Sequence, residues 1–223
     1  RDKLVTGVQT CALPISMRKE SSWRVNGPIV QPTKPTQLVI SEIYFQPPEG
    51  RNYEQFIELL NVGLDPLDLT GVQLSASTIQ FTFPAETVLA QGKTIIVAAH
   101  RDEFASRYQD ESLPTFYPGI AVAGSWINGF LTTNDTVTLI AANGETILAQ
   151  SYSAEWAPRA AGYGSSLELR APEQLPRSAS DRAIALNREV FWQPSSAYRG
   201  SPGRLESTAH LLRISEVLAH GVT

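Results

Sequence analysis

One stretch restricts the fold more than any other: "DTVTLIAANGETILAQSYS", residues 135–153. Apolar and polar residues alternate on both sides of Asn143–Gly144. That period of two belongs to half-buried strands, because successive side chains point to opposite faces. Asn-Gly accepts the positive φ values of a tight turn, so the spacing predicts a hairpin closed by a type I′ turn. A chain with this element must give it further strands to pair with.

Further strand signals stand on both sides. "QLVISEIYF" (37–45) and "EQFIELLNVG" (54–63) are separated by the breaker "PPEG", and "LDPLDLTGVQLS" (64–75) is a turn feeding another strand. "IQFTFP" (79–84) alternates until Pro84, while "KTIIVAA" (93–99) is the continuous apolar run of a buried strand. "GSSLELR" (164–170) and "REVFWQ" (188–193) complete the set. Gly and Pro, 15 each, supply the turns. Only "RDEFASRY" (101–108) reads as a helix, short and on the surface, with Phe104 and Tyr108 at i, i+4. "APEQLPRSASDRAIALN" (171–187) reads as a loose excursion. Eight to ten short strands with one helix predict an all-β sandwich or barrel, and strand–helix alternation is missing.

Between Leu38 and Gly203 ten Lys/Arg stand against eighteen Asp/Glu, a balance of −8. With no basic cluster, that surface repels a polyanion, and no nucleic-acid partner is expected. No apolar run is long enough to span a membrane as a helix. Cys11 lies in "VTGVQTCALPIS" (5–16), which resembles the translation of a sequencing-library adapter, so residues 1–16 are set aside as an artefact. Residues 17–37, with "GPIVQPTKPTQ", read as a linker or the remnant of an upstream domain.

From Leu38 onward the order of motifs is specific. "LVISEIYFQPPEGRNYEQFIELLNVGLDPLDLTGVQLS" is followed by "FTFPAETVLAQGKTIIVAA", "FASRY", "LTTNDTVTLIAANGETI", "SLEL" and "FWQPSSAYRGSPG". This succession resembles the lamin-tail domain family in its bacterial form, over about 38–203. Val72 stands where that family usually has Trp, and "LTTND" replaces a more Gly-rich turn. The resemblance implies an immunoglobulin-like β-sandwich. "LLRISEVLAHGVT" (211–223) repeats the opening strand and reads as the truncated start of a second copy in tandem, after a linker at 204–210.

No catalytic motif stands out. The three histidines, His100, His210 and His220, accompany no nucleophile, and there is no G-x-S-x-G, H-E-x-x-H or phosphate loop. Glu42 shares strand parity with Leu38 and Ile40, and Glu58 with Phe56 and Leu60. On neighbouring strands the two carboxylates would be half-buried together, able to bind Ca²⁺ but more in keeping with bonds to backbone or Arg groups. Tyr44, Tyr53, Trp126 and Trp156 lie near strand ends or loops, where exposed rings could contact a glycan or a protein. The expectation is a non-catalytic structural, adhesion or tethering module without cofactor, secreted or at the cell envelope, in a larger tandem protein. The alternative is a carbohydrate- or protein-binding module, possibly Ca²⁺-assisted, accessory to a hydrolase domain elsewhere in the full-length protein.

Overall fold

A computed structural model describes residues 37–113 and 116–204. The adapter-like leader, nearly all of both expected linkers and the 211–223 segment lie outside the described residues. In chain order, β1 (Leu38–Tyr44), β2 (Phe56–Asn61), β3 (Leu67–Asp68), β4 (Gln73–Ser75) and β5 (Gln80–Thr82) come first. β6 (Val88–Leu89), β7 (Thr94–Ala98), helix α1 (Arg101–Tyr108) and β8 (Val122–Ser125) follow. β9 (Asn134–Ile140), β10 (Thr146–Ser153), β11 (Leu167–Leu169), helix α2 (Ala179–Leu186) and β12 (Trp192–Pro194) close the chain.

The strands form a six-stranded sheet, β12-β11-β1-β2-β7-β8, and a four-stranded sheet, β10-β9-β4-β5, with β3-β6 as a small third pair. All pairings are antiparallel except β7 with β8. One apolar core runs between the two large sheets, with Ile43, Ile57, Leu59, Val97 and Leu167 from one and Leu74, Val137, Leu139 and Leu148 from the other. This is an immunoglobulin-like sandwich, as the strand count and the resemblance led us to expect.

The six-stranded sheet is covered on its other face as well. Tyr44, Phe56, Ile96 and Ala98 form a second apolar cluster with Phe104 and Tyr108 of α1. Phe56 meets the Phe104 and Tyr108 rings edge-on at 5.6 and 5.8 Å. The i, i+4 aromatic pair is what docks α1. Its N-terminus is capped by His100, whose Nδ1 accepts from Glu103 N, and acidic residues in the first turn and Arg107 in the last complement the helix dipole.

Two sequence expectations change. The hairpin between β9 and β10 is closed by a type I turn with a G1 bulge, not by type I′: Gly144 N donates to Ala141 O, and Gly144 but not Asn143 has positive φ. The excursion at 171–187 contains a second helix, α2, capped by Ser178, which accepts from Asp181 N at 3.2 Å. α2 lies against β10, and Asn187 at its end treats that edge as a neighbouring strand would. Asn187 Oδ1 accepts from Ser151 N at 2.7 Å, and Nδ2 donates to Ala149 O at 3.3 Å and Ala183 O at 2.8 Å. Unpaired edge groups invite association, and this residue satisfies two of them.

Asn187→Asp would turn an oxygen toward the Ala149 and Ala183 carbonyls. We expect a loss of about 2 kcal/mol by chemical denaturation; an unchanged midpoint would show that the edge cap contributes nothing.

Candidate functional site

The outer face of the six-stranded sheet carries an unusual polar row. Ile40 pairs with Leu59 but Glu42 with Glu58, so Ser41 is an extra residue, a β-bulge. The bulge reverses parity: Leu38 and Ile40 lie in the inter-sheet core before it, Ile43 and Phe45 after it. Glu42 is thereby turned to the outer face with Tyr44, away from the core that its sequence parity indicated. Glu168 of β11 pairs with Glu42, and Glu58 pairs with Ile96 of β7. Three carboxyl groups therefore stand side by side on β11, β1 and β2. They are almost completely buried, at 4%, 1% and 1% exposure, where half-burial was expected for Glu42 and Glu58.

Their partners are hydroxyls and backbone amides. Glu58 Oε1 accepts from Ser41 Oγ at 2.6 Å and Oε2 from Gly203 N at 2.5 Å. Glu42 Oε1 accepts from Ser166 Oγ at 2.5 Å and Ser201 N at 2.9 Å, while its Oε2 has no hydrogen-bond partner. Ser201 Oγ donates to Glu168 Oε1. Burial raises the Glu42 carboxyl well above the carboxylate range, and Glu168 and Glu58 raise it further. Burial pushes Glu58 up to about 7, against the bonds from Ser41, Gly203 and Thr94 that favour its ionised form. Among the described residues no arginine is a hydrogen-bond or ion-pair partner of Glu42 or Glu58.

The arginines gather elsewhere. Glu54, buried beside β2, accepts from Arg51 at 3.0 Å and Arg107 at 3.3 Å and lies 3.5 Å from the Arg199 guanidinium, all on Oε1. Against it opens a pocket of about 380 Å³ lined by Glu49, Gly50, Arg51, Tyr53, Glu54, Glu103 and Arg107. A larger pocket, about 520 Å³, lies at the β12 edge between Trp156, Arg170, Arg188, Glu189, Val190, Trp192 and Pro194.

The four aromatic candidates divide. Tyr44 is wholly buried in the α1 cluster and Trp126 is 5% exposed, its indole donating to Gly129 O at 2.9 Å. Neither presents a ring to solvent, because both strand ends are roofed by neighbouring layers. Tyr53 is 57% exposed, edge-on to Phe130 and His100, and lines the smaller pocket. Trp156 is partly buried and lines the larger one. The Ca²⁺ alternative for Glu42 and Glu58 meets occupied positions: hydroxyl and amide donors already face three of their four oxygens. Among the described residues no group of three or more His, Cys, Asp or Glu has the arrangement of a metal site. Sequence reading missed Glu168 and Ser201; the lone Glu between Leu167 and Leu169 was the available sign of the first.

The architecture is that of an immunoglobulin-like module whose polar residues are drawn into its own packing. The family model for the lamin tail domain matches residues 31–154, and the chain belongs to that family. No curated protein gives a significant match. β11 and β12 lie beyond the matched span but hydrogen-bond into the same sheet as β1.

A carboxyl group whose affinity for protons rises on folding stabilises the fold below its unfolded pKa, and that contribution is lost as pH rises to the folded value. For Glu58 the window runs from about 4.5 to about 7. Glu58→Gln, which stays neutral, should therefore stabilise the protein above pH 7 by on the order of 3 kcal/mol, less what Gln fails to reproduce of the ionised group's bonds. Thermal melts at about pH 5 and about pH 8 check this; a variant destabilised equally at both would contradict it.

Proposed function

We propose that this chain is a non-catalytic tethering module of a larger secreted or envelope-associated protein, holding its neighbours at a cell surface through a protein or glycan contact. The observation that carries this reading is the commitment of its chemically capable groups to the fold. Glu42 and Glu58 bind hydroxyls and backbone amides, and Glu54 is enclosed by three guanidinium groups. His100, the histidine within the described residues, caps α1. A general acid or base must reach its substrate within hydrogen-bonding distance, and Glu42 is sealed from solvent. Family membership supports a module of this class, though fold by itself assigns no activity.

The test is retention. An inert fluorescent protein fused to the full chain should sediment with bacterial envelope fragments and be released by excess unfused chain. Partitioning identical to that of the unfused reporter would refute tethering.

One observation favours glycan as the ligand. The pocket at the β12 edge combines the partly exposed ring of Trp156 with the guanidinium groups of Arg170 and Arg188, a combination suited to stacking on a sugar and holding its polar or acidic substituents. Binding on an array of neutral and acidic glycans should weaken about tenfold in Trp156→Ala, the value of one lost aromatic stacking contact. An array without hits, or a hit indifferent to Trp156, would remove this second reading.

A further inference from the structure

Charge is unevenly placed along the chain. Of the ten Lys/Arg between Leu38 and Gly203, five lie within residues 154–194, against five Asp/Glu. The −8 balance therefore falls wholly outside that segment, and an anion meets the least opposition there. The pocket at the β12 edge is built from this segment.

Its parts are fixed by the fold. Trp156 ends the 3-10 turn Ala154–Trp156, which Ser153 caps by accepting from Glu155 N at 3.1 Å, and it packs against the inter-sheet core. Trp192 forms a buried wall, its indole donating to Leu186 O at 2.9 Å. Arg170 and Arg188 are joined through the turn Glu189–Phe191: Arg170 N donates to Phe191 O at 2.7 Å and Phe191 N to Arg188 O at 3.1 Å. Both residues are exposed, and neither guanidinium has an ion pair or hydrogen bond among the described residues. Arg51, Arg107 and Arg199, by contrast, share Glu54, and Arg204 lies over the Tyr117 ring. The pocket thus sets two uncommitted guanidinium groups beside a partly exposed indole, with Glu189 as its acidic member.

The β12 edge does not suit an extended peptide. Arg170 N donates to Phe191 O and Ser195 N to Ser166 O, so Phe191 and Ser195 bond back toward β11 and alternation turns Trp192 and Pro194 outward. Trp192 N already donates to Glu189 O and Pro194 has no N–H, which leaves an added strand without a donor from either residue. A sugar ring needs no such ladder, only a flat apolar face and polar groups around it. The volume, about 520 Å³, is that of a small-ligand site.

We propose that this pocket is a subsite for a uronic acid, a sugar whose ring lies against Trp156 and whose carboxylate is held by Arg170 and Arg188; this rests on the glycan reading of the same pocket. The planar guanidinium fork matches the two coplanar oxygens of a carboxylate, and Glu189 accepts from ring hydroxyls.

Titration calorimetry on the full chain, with uronate-containing oligosaccharides each paired with its carboxyl-reduced counterpart, tests this. The uronate form should bind about tenfold tighter or more, the value of a charge-assisted hydrogen bond. Its binding should also weaken as salt is raised from about 50 to about 500 mM. Arg170→Gln and Arg188→Gln should each remove most of the preference and leave binding of the reduced form unchanged. Arg101→Gln, on α1 beside β8 at the opposite edge of the sheet, should keep the preference. Equal affinity for the two forms would overturn the uronate assignment and leave the glycan reading standing; binding of neither form would overturn both. A preference that survives in both arginine variants would overturn the assignment, as would an acidic peptide that binds as tightly as the uronate. If the variants do not fold, the paired comparison on the unaltered chain and its salt dependence decide alone.

Discussion

The structure depends on a single extra residue in β1. That strand lies inside the six-stranded sheet, is buried on both faces along its whole length, and pairs with β2 and β11. Without the bulge at Ser41, one unbroken parity would put Glu42 on the face of Leu38 and Ile40, in the inter-sheet core. With it, Ile43 and Phe45 fill the core and Glu42 joins Glu58 and Glu168 on the outer face. A one-residue register change exchanges the two faces of every residue beyond it, so the bulge decides core and polar row together.

The row is then an energetic problem that the last described residues solve. Burying a carboxyl group is unfavourable unless it is neutralised or hydrogen-bonded. Here burial raises the affinity of Glu42 and Glu58 for protons, and Ser41, Ser166, Ser201 and Gly203 supply hydrogen bonds. The opposite solution is used a short way off, where Glu54 stays surrounded by Arg51, Arg107 and Arg199. Arg199 belongs to both regions, since residues 199–204, whose Ser201 and Gly203 bond to the row, also carry its guanidinium to Glu54. Residues 199–204 are therefore part of the module's packing, although they lie beyond the span matched by the family model.

What was legible in the sequence follows from what is local. Alternation located β2, β5, β9 and β10, a continuous apolar run located β7, and Phe104 with Tyr108 located α1, because face and period are properties of short windows. The helix α2 was missed because its pattern is weak: Ala179–Leu186 carries a charged pair and only Ile184 and Leu186 as large apolar residues, under Pro-rich flanks. The sign was present in Ser178 and Asp181, a capping pair three residues apart. The type I′ reading of Asn143–Gly144 failed for a different reason. The dipeptide permits positive φ at both positions, but the register of Ala141 with Glu145 uses it only at Gly144. The site was half legible. Glu42 and Glu58 could be paired by strand order, but a bulge leaves no mark on composition, and Ser201 is 159 residues from Glu42. Burial of Tyr44 and Trp126 depended on layers, α1 among them, that only the assembled sandwich supplies.

The raised proton affinity of Glu42 and Glu58 is the point on which the pH response rests. It can be read directly from the side-chain carboxyl carbons by NMR, following Glu42 and Glu58 through a pH titration with Glu→Gln variants for assignment. The account predicts that Glu58 titrates near 7 and that Glu42 titrates above the ordinary carboxylate range. Titration of both groups near 4.5, the ordinary value for an exposed glutamate, would mean that the row is hydrated and ionised in the native state, and the account would fail.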